Sequence, residues 1–246
     1  TVISNTASTG SLSASGGGMS IQAAGNSVLN VDMRNVTVQD NTAGNDFSSS
    51  GGGIAMSLNG GTATVRQSRI LHNHAAQIKT FLGGPSRGGG IFLTSGHLLL
   101  ENVLITGNDG ERGDGLWLEA GNLANSTVGM NYVTLADNYR LVGDASAAIR
   151  VEGAQVSLSL SNTLISGNPF AFEAQNNAQP PTLTYDHVLI DNNVGTVITG
   201  TMTTTGTPLV DLDGASRPQG ATTEIGAYEF ASQGGGQQVY LPIVLR

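Results

Sequence analysis

Apolar residues in this chain recur in pairs two positions apart, and the pairs themselves recur at long intervals. Aligning the sequence on Asn41, Asn73, Asn108, Asn138, Asn168 and Asn193 exposes the interval, which runs 32, 35, 30, 30 and 25 residues. Three residues before each Asn stand Val38, Ile70, Ile105, Leu135, Ile165 and Ile190; five before stand Val36, Ser68, Val103, Val133, Thr163 and Val188. Eight before come Met33, Val65, Leu100, Met130, Leu160 and Tyr185, and ten before come Val31, Ala63, Leu98, Val128, Leu158 and Leu183. A spacing of two is strand alternation with one apolar face. The position six before each Asn (Asn35, Gln67, Asn102, Tyr132, Asn162, His187) breaks that alternation and is mostly an amide, as a sharp corner requires.

A further strand follows each small-residue cluster. Its copies are Met19-Ser20-Ile21, Ile54-Ala55-Met56, Ile91-Phe92-Leu93, Leu116-Trp117-Leu118 and Ile149-Arg150-Val151. Outer members are apolar and point inward; Ser20, Ala55, Phe92, Trp117 and Arg150 point out. Three short strands per period of this length describe one coil of a parallel β-helix. Each strand pairs with its equivalent one period on, about 4.8 Å away. The fold class is therefore all-β, a single-chain parallel solenoid of roughly six or seven coils, about 30 Å tall on that rise.

Stacked amides can hydrogen-bond up such a column; plain turn preference is the other account of the Asn positions. Variable segments (42–50, 74–87, 109–112 and 139–146) leave the coil at one corner and decorate one side. Residues 1–207 form the coils, 208–230 an irregular closing segment, and 231–246 a Gly hinge with an apolar terminal strand, Val239 to Leu245.

Composition narrows the function. Charged residues make up 11% of the chain, against about 25% in ordinary domains, so Ser, Thr, Asn, Gln and Gly build the surface. A net charge of −8 with 10 Lys+Arg excludes nucleic-acid binding, which needs clustered cations. No apolar run approaches the roughly 20 residues that span a bilayer. Cysteine is absent, which removes disulfides and thiol catalysis. Opening on Thr1 with no signal pattern, the chain reads as a processed piece of an exported bacterial protein.

The repeats resemble those of right-handed parallel β-helix proteins, the group that includes pectate-lyase-like enzymes and bacterial surface proteins. The stretch Asp211-Leu212-Asp213-Gly214, Arg217-Pro218, Ile225-Gly226-Ala227-Tyr228-Glu229 resembles the end of the choice-of-anchor Q group of predicted secreted β-helix proteins. That resemblance implies a right-handed column, a surface location and an anchoring tail, here Tyr240 to Arg246. It implies no one activity.

Candidate chemistry lies first on the outward face of the Gly-led strand. Phe92 and Trp117 can stack on a sugar ring, with Glu119 and Glu152 as an acid–base pair about 5 Å apart and Arg150 between them. The competing account is an aromatic contact ladder with a Glu119–Arg150–Glu152 ion-pair set. A lyase would need clustered carboxylates on Ca²⁺ beside a basic residue, and Arg150 is the one base on this face. Asp211 and Asp213 are a weak Ca²⁺ signal that Arg217 can neutralise. His72 and His74 flank Asn73 without a third histidine, too few for a zinc site. A second outward column, four before each anchor, reads Thr37, Arg69, Leu104, Thr134, Leu164 and Leu189. It is no Thr array, so ice binding is excluded, while Leu104, Leu164 and Leu189 form an apolar contact patch. With Val239, Tyr240, Leu241, Ile243, Val244 and Leu245 they are the expected assembly contacts. The expectation is an exported, non-catalytic surface protein, structural or adhesive, self-associating through column ends and the terminal strand. The alternative is a polysaccharide-binding or polysaccharide-cleaving β-helix.

Overall fold

A computed structural model describes residues 1–8, 14–45, 49–77, 86–111, 113–119, 126–138, 147–152, 156–175 and 181–191. The closing segment 208–230, the terminal strand from Val239 to Leu245, Asp211, Asp213 and Asn193 lie outside the described residues. Among the described residues there is no helix, and every strand pairing is parallel.

The longest sheet contains β1 (Val2–Ile3), β5 (Val31–Arg34), β6 (Thr37–Gln39), β10 (Thr62–Leu71), β13 (His97–Thr106), β15 (Ser126–Ala136), β17 (Val156–Ser166) and β19 (Thr182–Asp191). A second sheet stacks β4 (Met19–Gln22), β9 (Ile54–Ser57), β12 (Ile91–Thr94), β14 (Leu116–Glu119), β16 (Ala147–Glu152) and β18 (Phe170–Gln175). A third holds β2 (Thr6–Ser8), β7 (Thr42–Asn45) and β11 (His74–Gln77), and a fourth pairs β3 (Ala14–Ser15) with β8 (Ser49–Ser50). Neighbours in each sheet are one repeat apart in sequence, the order being β1-β6-β10-β13-β15-β17-β19 in the first and β4-β9-β12-β14-β16-β18 in the second. This is a parallel β-solenoid, with about four turns that close in full.

Register follows the aligned apolar positions. Val65 pairs with Leu100, Leu100 with Met130, and Ile70 with Ile105. Ile91, Leu93, Leu98, Leu100, Val103 and Ile105 are all buried in one continuous core. The two strands expected on either side of the corner stay separate in the first coil, as β5 and β6, and are one long strand bent in its middle in β10, β13, β15, β17 and β19. Asn35, Gln67, Asn102, Tyr132, Asn162 and His187 all have φ between 47° and 55°. What this corner shares is left-handed backbone, which amides enter more easily than most residues; Tyr132 and His187 show that the amide itself is optional.

The anchor amides form a buried ladder. Asn41 Nδ2 donates to Asn73 Oδ1 at 2.9 Å, Asn73 to Asn108 at 2.9 Å, Asn108 to Asn138 at 2.9 Å and Asn138 to Asn168 at 3.3 Å. Asn5 joins it below, donating to Asn41 Oδ1 at 2.9 Å. Hydrogen bonding, beyond turn preference, therefore accounts for this column. The glycines answer the ladder. A Cβ on Gly53 would lie 2.7 Å from the Gly90 carbonyl oxygen and 3.0 Å from the Asn73 amide, so this rung closes tightly on the ladder, while further up the column Ala148 and Ala171 hold the same register position.

The segments after the anchors are more regular than loops. Thr42 to Asn45 and His74 to Gln77 extend the third sheet, in register with Thr6 to Ser8. Backbone pairing thus continues past the anchor before the chain departs.

Candidate functional site

The second sheet holds its strands so that every other residue leaves the column. Phe92 is opposite Trp117, Trp117 opposite Arg150, and Arg150 opposite Glu173; two residues along, Thr94, Glu119 and Glu152 share a row. Phe92 and Trp117 meet edge to face, with centroids 6.4 Å apart at 72°, the geometry that aligns a ring edge with a π-face. With Ala55 they form a small apolar cluster outside the main core.

The expectation of an open stacking face is corrected by the burial of these side chains. Trp117 is 0% exposed, Arg150 2% and Phe92 8%. The Arg87 guanidinium lies 5.2 Å from the centre of the Trp117 rings and the Arg150 guanidinium 4.9 Å. Each is a cation–π contact. Arg87 was not among the sequence candidates, because it stands just before Gly88 in a variable segment with no repeat to mark it. Glu173 was missed because the strand after Asn168 has no glycine lead; its alternation, Phe170-Ala171-Phe172-Glu173, is the signal that would have found it.

The ion pairs differ from the expected set. Glu119 Oε2 accepts from Arg87 Nη1 at 3.0 Å. Arg150 Nε stands 3.8 Å from Glu152 Oε2, and Arg150 Nη1 is in close contact with Glu173 Oε1. Glu119 and Glu152 remain direct neighbours across β14 and β16, but each is committed to a different arginine. Trp117 Nε1 and Arg87 Nε are buried with no hydrogen-bond partner among the described residues. Chemically, the arrangement is a charged lid over an aromatic ring: two cations interleaved with three carboxylates.

On the long sheet, Arg69, Leu104, Thr134, Leu164 and Leu189 follow one another rung by rung. Leu164 is 7% exposed and Leu104 is half-buried, while Leu189 is 48% exposed. The outward apolar patch is thus open mainly at its upper end. The flanking histidines part at the corner. His72 has φ of 50° and lies 3.8 Å from Asp40, whereas His74 joins β11 and pairs with Asp109 at 2.9 Å. Among the described residues no group of three His, Cys, Asp or Glu is placed to hold a metal, and no helix is long and apolar enough to cross a membrane.

At the last described rung, Leu160, Phe172, Leu183, Tyr185, Val188 and Ile190 line a half-open pocket of about 230 Å³. Its walls are core side chains and offer no acid–base pair. Comparison with protein-family models, curated proteins and solved structures gives no match.

Proposed function

We propose that this chain is an exported, right-handed β-helix of six to seven coils with a structural or adhesive role at the bacterial cell surface, non-catalytic and self-associating. One observation carries the reading. The outward face with the most chemistry is already spent on its own side chains: Trp117 is fully buried, with Arg87 and Arg150 at its ring. Partly exposed Glu119, Glu152 and Glu173 are paired to those arginines. Such a lid stiffens a column and leaves no open ring for a sugar. Self-association through column ends and the segment from Val239 to Leu245 follows from strand edges and an apolar tail. Anchoring by the tail and a choice-of-anchor Q type closing segment belong to the same reading. Deleting residues 234–246 should abolish polymers while the column stays folded; polymers that survive the deletion refute the tail's part.

A second reading, polysaccharide binding or cleavage, is favoured by the rung pairing of Glu119 with Glu152. Paired strands stand about 4.8 Å apart, close to the roughly 5 Å carboxyl separation that retaining glycosidases use. A glycan array with reducing-end and unsaturated-product assays separates the two. Activity that vanishes in both Glu119→Gln and Glu152→Gln would establish the enzyme; silence on every polymer tested supports the structural role.

A further inference from the structure

The two arginines at the Trp117 ring are held in unequal ways. The Arg150 side chain is 2% exposed and meets two carboxylates, with Nε 3.8 Å from Glu152 Oε2 and Nη1 in close contact with Glu173 Oε1. Its strand is paired on both sides, so that Arg150 sits between Trp117 and Glu173. The Arg87 side chain is 32% exposed, and the carboxylate it meets, Glu119 at 3.0 Å, is 32% exposed as well. An ion pair that open to water contributes little and weakens with salt. One part of the cover is thus built in, and the other rests on a weak contact.

The backbone beneath Arg87 does not share that looseness. Its N–H donates to the Ser49 carbonyl and its carbonyl accepts from Gly51 N–H, both at 2.8 Å. Ser86 beside it is tied to Glu111 in both directions, Ser86 N–H to Oε2 at 3.2 Å and Glu111 N–H to Ser86 Oγ at 2.8 Å. Motion at Arg87 is therefore confined to its side-chain torsions, and the column stays closed while they turn. The closed position also leaves bonds unmade. Trp117 Nε1 and Arg87 Nε have no acceptor among the described residues, and a buried N–H without one is costly. The cation–π contact at 5.2 Å favours the closed position and the two unmatched donors oppose it, so closed and open states lie close in free energy.

We propose that the Arg87 side chain is a gate over Trp117, closed on Glu119 and the ring and opened by turning into solvent, while Arg150 stays as the fixed wall. Closed, the face is occupied by its own side chains, as described above. Open, it presents an indole face, an indole N–H donor and the Glu119 carboxylate side by side. For what enters, the proposal rests on the polysaccharide-binding reading: a sugar ring stacks on the indole and its hydroxyls take the place of the guanidinium at Glu119. What the gate adds is control of entry by one side chain, sensitive to salt and independent of any movement of the coils.

The test uses the full chain, in which Trp117 is the single tryptophan, so its indole N–H gives one proton resonance. Exchange of that proton with solvent reads opening over the ring, and the Leu118 amide on the same strand reads opening of the coil. The indole proton should exchange faster than the amide, and faster still as salt rises to about 1 M. Arg87→Ala should speed indole exchange about tenfold, the combined worth of one exposed ion pair and one cation–π contact, and leave the Leu118 amide unchanged. Glu119→Gln, which keeps the shape, should speed it about threefold and reads the same equilibrium if Arg87→Ala does not fold. On a glycan array, Arg87→Ala should hold sugars more tightly than the wild type. Indole exchange that matches the Leu118 amide, or that ignores both variants, overturns the gate. So does glycan bound equally by the wild type and Arg87→Ala, which leaves the polysaccharide reading standing. Exchange that follows the gate, with no glycan bound by either protein, overturns that reading and leaves the gate standing.

Discussion

Replacing Asn108 by alanine removes one rung from the middle of the ladder, and its cost can be worked from the bonds lost. Asn108 Oδ1 accepts Asn73 N–H at 3.0 Å and Asn73 Nδ2–H at 2.9 Å; its own Nδ2 donates to the Ile70 carbonyl and to Asn138 Oδ1, each at 2.9 Å. The residue is 0% exposed, so water cannot replace those partners. A buried polar group left without a partner costs about 1–3 kcal/mol. Asn73 loses an acceptor for two N–H groups, and the missing amide leaves a small void, so the sum is about 3–5 kcal/mol. Asn5→Ala loses one side-chain bond, Asn5 Nδ2 to Asn41 Oδ1, at an exposed position where water substitutes, and should cost about 1 kcal/mol or less. A solenoid can open coil by coil, so one global transition is a poor gauge. Native-state hydrogen exchange at the Asn73 amide is the direct one. Its protection should fall about a hundredfold or more in Asn108→Ala and stay unchanged in Asn5→Ala. Equal costs at the two ends of the comparison, or a loss below about 1 kcal/mol at Asn108, would refute the claim that the amides hold the coils in register.

The lid over Trp117 gives a second expectation. Arg150→Met keeps the bulk but leaves the partly exposed Glu152 and Glu173 without their cation, so urea unfolding should show a loss of about 1–3 kcal/mol. Trp117 is the single tryptophan and fully buried, so its emission should be blue-shifted and shielded from quencher in the native protein, and exposed to it in Arg87→Ala. Gly53→Ala forces a Cβ to 2.7 Å from a backbone oxygen and should cost about 1–3 kcal/mol in thermal or chemical melts, whereas Gly129→Ala, whose only near neighbour is the end of the Leu99 side chain, should cost less. Burial raises the pKa of Asp137 above the usual carboxylate value. A carboxyl whose folded pKa is raised destabilises the fold when ionised, so stability tied to it is gained as pH falls through the folded pKa. Asp137→Asn should therefore raise the melting temperature at neutral pH, with the gain shrinking toward pH values below the ordinary carboxylate range.

Much of the column was legible because its signals repeat. Alternating apolar pairs at four register positions placed Leu98, Leu100, Val103 and Ile105 inside, and the structure buries each of them. The anchor Asn column was legible as a candidate ladder, since a buried amide in a fixed register has few other uses. The extra pairing of Thr42 to Asn45 with His74 to Gln77 was not, because the only apolar side chains in either segment are alanines, too small to mark a strand; the backbone bonds of the neighbouring coil hold both. The rows Phe92–Trp117–Arg150 and Glu119–Glu152 could be read off, because register fixes which residues share a rung. Their burial and pairing could not. These depend on Arg87, delivered by a segment of no repeat pattern, and on which arginine each carboxylate reaches, a matter of side-chain length and not of spacing.

A non-glycine residue with positive φ usually invites a search for function, since strain concentrates at active sites. Here that inference fails, and the register shows why. Asn35, Gln67, Asn102, Tyr132, Asn162 and His187 occupy one corner; Ser4, Asp40, His72 and Asp137 occupy the place just before the anchor Asn, shared with Gly107 and Gly167. The remaining two, Asn59 and Ser95, stand at the corner after the second-sheet strand. Each such residue is thus a corner of the column. At the pre-anchor corner the pattern also sets packing: a Cβ on Gly107 would strike the His72 ring, and one on Gly167 the Asp137 carboxylate. Each of those side chains lies over a glycine on the next rung. Unusual backbone that recurs at every turn belongs to the architecture, and a site on such a column has to be sought where the period breaks. One such break among the described residues brings a charged side chain onto the column: Arg87, which leans over Trp117. It closes the outward face that carries the aromatic side chains, since Trp117 beneath it is fully buried.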